Sequence, residues 1–110
     1  MSDIEKGRRA LIKRILEGDG KAARITRKAA FDDTGLSGSA QMLADKVIHN
    51  AYRVTDDDIA AVKASGLSED EVFEVVVCAA VGQAAKQYEA ARAALDATFG
   101  EGEHAPSSPR

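Results

Sequence analysis

Apolar residues recur along this chain at spacings of three and four, and glycines break the pattern into segments. Ile4, Leu11, Ile12, Ile15 and Leu16 form one stripe at helical period, ended by Gly18 and Gly20, which predicts a helix over roughly 2–17. Ser2 and Glu5 have the S-x-x-E spacing of a capping box at its start. Residues 21–31 offer Ala22, Ile25, Ala29 and Ala30 on a short, strongly basic helix, and the Asp-Asp-Thr-Gly run at 32–35 reads as a turn. A third helix opens around Ser37 to Ser39 and carries Met42, Leu43, Val47, Ile48 and Ala51 towards the core.

Two further capping signatures follow. Thr55 with Asp58 opens a short helix that turns Ile59 and Val62 inward, and its acids Asp56, Asp57 and Asp58 suit the positive end of the helix dipole. Gly66 closes that helix from the position after its cap. Ser68 with Glu71 opens the longest element, expected over 68–98, with Phe73, Val77, Ala80, Ala84, Tyr88, Ala91 and Leu95 along one face. No stretch alternates as a strand would. The pattern predicts an all-α domain of about five helices over residues 1–99, followed by a disordered tail at 100–110 that lacks apolar content.

Between Val72 and Ala85 only Glu74, Gly82 and Gln83 interrupt the apolar residues, so this helix is apolar on nearly every side. A helix of that kind is buried all round. Four shorter helices offer too little surface to cover it, so a homo-oligomer is expected, with 72–85 at the contact.

Composition narrows the function classes. Of 110 residues 45% are apolar and 30% charged, which is globular rather than disordered. The single cysteine, Cys78, excludes an internal disulfide, a CxxC pair and a Cys-rich zinc site, and the two histidines are too few for a His-based metal site. Residues 1–30 carry nine Lys/Arg against four Asp/Glu, whereas the remainder carries six against fourteen. A basic arm over 6–28 can meet nucleic acid or an anionic membrane. The acidic whole, with a pI near 5.3, favours instead a basic helix lying against an acidic body, its own or a neighbour's. The amino terminus has no apolar leader segment, and Val75–Val81 is too short to span a membrane. A cytoplasmic protein without a membrane partner is expected.

Catalytic motifs are sparse. GxGxxG, P-loop, HExxH and GxSxG patterns are absent, and no cofactor or metal is expected. Turn and cap roles account for Asp32, Asp33 and Asp56 to Asp58, and Cys78 reads as a small core hydrophobe. Glu74, flanked by Val72, Phe73, Val75 and Val76, either meets a solvent gap or is buried with a partner. Burial would raise its pKa and make it a proton carrier. His49 and Tyr52 share a helix face with Asp45 one turn earlier, so His49, Tyr52 and Glu74 are the candidate catalytic residues.

Residues 46–59 (KVIHNAYRVTDDDI), 64–74 (ASGLSEDEVFE) and the Ala-rich helix that follows resemble the AhpD-like, carboxymuconolactone decarboxylase-like proteins over roughly 38–98. The resemblance implies a helical fold and an assembly of trimers or their doubling. Active members of that family carry C-x-x-C-x-x-x-H just before the short helix. Those positions fall here on Ala51, Val54 and Asp58, and the family's proton-relay glutamate falls on Ser39. Every chemical position is vacant, which argues against thiol peroxidase activity. Two functions follow. One is a non-redox oligomeric scaffold or binding protein, with a small-molecule ligand as a further partner; the other is a decarboxylase-like or other proton-transfer enzyme with its chemistry moved to His49, Tyr52 and Glu74.

Overall fold

A computed structural model describes residues 3–104, with side chains described to residue 99. It is all-α. In chain order the elements are α1 (Asp3–Glu17), α2 (Arg24–Asp32), α3 (Gly38–Asn50), a 3-10 turn (Ala51–Arg53), α4 (Asp56–Ala64) and α5 (Glu69–His104). No strand is present among the described residues, and no helix of theirs is long and apolar enough to cross a membrane.

The local signals formed as the chemistry dictates. Thr55 Oγ1 accepts from the Asp58 amide while the Asp58 carboxylate accepts from the Thr55 amide, a complete capping box. Ser68 and Glu71 exchange the same pair of bonds at the start of α5, at 2.8 and 3.2 Å. Gly66 follows the last turn of α4 at φ 120°, a left-handed conformation open to glycine.

The first half of α5 is the axis of the fold, and α2 and α3 press on it. Ala30, Ala44, Val75, Cys78 and Ala79 form one buried cluster, edged by Ile15, Leu16, Phe31 and Ile48. Leu43, Val62 and Val72 form a second, edged by Val54, Ile59 and Val76. The face of α5 that enters these clusters is therefore Val72, Val75, Cys78 and Ala79, with Gly82 buried one turn further on. It is not the expected line through Phe73, Ala80 and Leu95, which is exposed. Shape decides between two apolar faces: only the small side chains let a neighbouring backbone come close. A methyl group built on Gly82 would lie 2.0 Å from the carbonyl oxygen of Phe31, so α2 ends directly against α5 there.

Other members of the expected apolar stripes also face out: Ile4 and Leu11 on α1, Ile25 on α2, Met42 on α3, and Ala51 just after it. In α2 the inward position beside Ala22 and Ala30 belongs to Arg27, which is only 5% exposed. Glu5, expected to cap α1, is equally buried and ties α1 to α5. Its carboxylate accepts from Tyr88 Oη at 2.9 Å, Arg92 at 2.8 Å and Arg8 at 3.1 Å. Ser2, its expected partner, lies outside the described residues.

Beyond Ala85 every described side chain of α5 is exposed, so the helix leaves the body and draws the molecule out to 62 × 28 × 20 Å. It also runs to His104, past the expected end near 98. Glycine weakens a helix by about 1 kcal/mol but does not forbid it, whereas proline does; the first proline here is Pro106. The rest of the expected tail, 105–110, lies outside the described residues.

Candidate functional site

The three candidate catalytic residues are not assembled into a site. His49, near the end of α3, is exposed, and Tyr52 in the 3-10 turn is 84% exposed. Neither has a hydrogen-bond or ion-pair partner among the described residues. Asp45, one turn before His49, receives its bond from Gln41 at 2.9 Å.

Glu74 is half-buried on α5, and its two carboxylate oxygens accept the backbone N–H groups of Lys21 at 2.8 Å and Ala22 at 2.9 Å. Burial raises its pKa, but the two amides and the nearby charge of Arg27 outweigh that effect and leave it below the usual carboxylate range. Glu74 thus stays ionised and holds the entry to α2; it is not tuned to carry a proton near neutral pH.

The positions that the resemblance assigns to family chemistry lie around α3 and α4. Ser39 donates its hydroxyl to the carbonyl of Ala61 at 3.3 Å, and Val54 packs on the second cluster. Asp58 accepts two bonds at 2.9 Å from Lys46 besides its capping bonds, and these hold its pKa down, the Lys46 ammonium first among them. Asp33 accepts from Gln41, and Asp32 pairs with Lys28. No group of three His, Cys, Asp or Glu among the described residues is placed to hold a metal ion. Cys78 is buried with its sulfur 3.8 Å from the carbonyl oxygen of Ile15, and burial pushes its thiol pKa up, away from a reactive thiolate.

Side chains do converge at one place that patterning alone did not single out. A cleft of about 520 Å³ opens between α1 and the first turns of α5, walled by Leu11, Ile15, Phe73 and Val77. Arg27 lines it and fastens three backbone carbonyls: Nε donates to Ala22 at 3.1 Å, while Nη1 donates to Ile15 at 3.1 Å and to Gly18 at 2.7 Å. A second groove of about 450 Å³ runs further along the same pair of helices, past Ile12, Val81 and Tyr88. The available sequence signal for Arg27 was its place three residues before Ala30, on the inward face of α2.

No family model matches the chain, and no curated protein or solved structure is significantly similar to it.

Proposed function

We propose that this chain is a non-redox, self-associating helical protein of the AhpD-like kind, acting as an oligomeric scaffold or binding protein in the cytoplasm. The observation that carries this reading is the uncovered apolar line on α5 and the start of α1. Ile4 is 75% exposed, Leu95 55% and Phe99 59%, and Ala80 and Ala84 are exposed further back along α5. Large apolar side chains exposed together on one helix mark an interaction site.

The spacing of that line supports a helical partner. Val77, Ala84 and Ala91 are seven residues apart, as are Val81, Tyr88 and Leu95, which is the repeat of helices that pack along a seam. An isolated helix of 12–15 residues is marginal in water. The stretch of α5 beyond Arg92, past its ties to Glu5, therefore gains from a second copy laid along it. The resemblance implies trimers or hexamers, and the lone buried thiol suits a reducing compartment. Sedimentation of the full chain at micromolar concentration tests the reading: a discrete multiple of the chain mass is expected.

A further inference from the structure

We propose that the cleft between α1 and the first turns of α5 is a binding site for a small apolar carboxylate, held by Arg27. A guanidinium has five N–H donors. Here Nε uses one and Nη1 uses two, all on backbone carbonyls, so both donors of Nη2 are left without an acceptor. Arg27 is 95% buried, since only 5% of it is exposed; Nη2 is not sealed among protein atoms, and Arg27 lines the cleft. No carboxylate of a described residue comes within 4.0 Å of this cation. The charge of Glu74 acts on it from further away, and both Glu74 oxygens are taken by the amides of Lys21 and Ala22.

A buried cation with free donors and no ion pair in direct contact is costly to the fold, and an anion placed on it relieves that cost. The rest of the site selects what carries the anion. Leu11, Ile15, Phe73 and Val77 form apolar walls, and the volume falls in the range of small-ligand sites. Arg14 and Asp19 also line the cleft with opposite charges, and Glu74 lines it with its two oxygens already held by the amides of Lys21 and Ala22, so the attraction for an anion rests on the free donors of Arg27. Because only Nη2 is free, the ligand is held through one carboxylate oxygen rather than by a two-pronged fork. The chemical class is a monocarboxylate with a short alkyl or aryl body. Val77 is shared with the line invoked for self-association, whereas Arg27, Leu11 and Ile15 are not.

Titrating the full chain with octanoate, and separately with octanol, while following backbone amide resonances tests the proposal. The expected result is saturable binding of octanoate with the largest shifts at Ile15, Gly18, Phe73 and Val77, and octanol weaker by about tenfold or more, as loss of a hydrogen bond to a charged group implies. Phe73→Ala, at an exposed position that the fold does not need, should weaken octanoate several-fold. Arg27→Lys should abolish the preference for octanoate over octanol if it folds; Phe73→Ala keeps the proposal testable if it does not. Absence of saturable octanoate binding, equal affinity for octanol, or shifts confined to the Ala84–Tyr88 groove would each overturn it.

Discussion

Tyr88 donates its hydroxyl to the buried carboxylate of Glu5 across 83 positions of sequence, at 2.9 Å. This bond, with those from Arg8 and Arg92, fastens the start of α1 to α5 at the point where α5 leaves the body. Arg8 also lies over the Tyr88 ring, 4.5 Å from its centre, so the cation that bonds Glu5 also stacks on the ring whose hydroxyl does.

These donors, Arg8 first and Tyr88 next, lower the pKa of Glu5 to about 2 from an ordinary 4.5. Between those values the unfolded chain binds a proton that the folded chain does not, so stability from Glu5 is fully present above pH 4.5 and is lost as pH falls towards 2. Glu74 and Asp58 are shifted in the same direction. Urea midpoints measured from pH 7 to pH 2 should fall on the acid side, and Glu5→Gln should be less stable at pH 7 with a flatter acid limb. An unchanged limb in that variant would show that Glu5 is not held by these bonds.

The contact of Gly82 with the Phe31 carbonyl predicts intolerance of even a methyl group. Gly82→Ala should lose about 1–3 kcal/mol or more, because backbone cannot rotate away as a side chain does. Leu43→Ala, at a fully buried position, should lose about 2–5 kcal/mol through the cavity it leaves. Chemical denaturation of both variants beside the parent checks these values.

Thr55→Ala and Ser68→Ala each remove a side-chain acceptor at a helix start. Each should cost about 1 kcal/mol in the same measurement.

Cys78 should behave as a core residue. A thiol reagent should label it only as fast as the chain unfolds, and hydroperoxide with a dithiol reductant should show no turnover. Turnover that disappears in Cys78→Ser would contradict the non-redox reading.

Legibility from sequence follows the range of the interaction. The boxes at Thr55–Asp58 and Ser68–Glu71 and the stop at Gly66 were readable because every partner lies within a few residues. The face of α5 was not, because a segment apolar all round has no unique moment and the choice was made by α2 and α3 through Ala79 and Gly82. Arg27 and Glu5 were opaque for a related reason. Each looks like a surface charge on an amphipathic helix, and what buries Glu5 is Tyr88 and Arg92, residues more than eighty positions away. Glu74 stood out as a carboxylate among valines, correctly as an oddity, yet its partners are two backbone amides that no residue-type pattern reveals. The cleft was hidden with Arg27, since its walls come from α1, α2 and α5 together.

Self-association is the centre of this account, and light scattering of the parent beside Leu95→Asp at micromolar concentration tests it most directly. Leu95 touches no core cluster, so a charge there should leave the melting of a single copy's body intact while setting an unpaired carboxylate into the seam. The account predicts a discrete multiple of 11.6 kDa for the parent and a shift towards 11.6 kDa for the variant. A parent mass of 11.6 kDa, unchanged in Leu95→Asp, would contradict it.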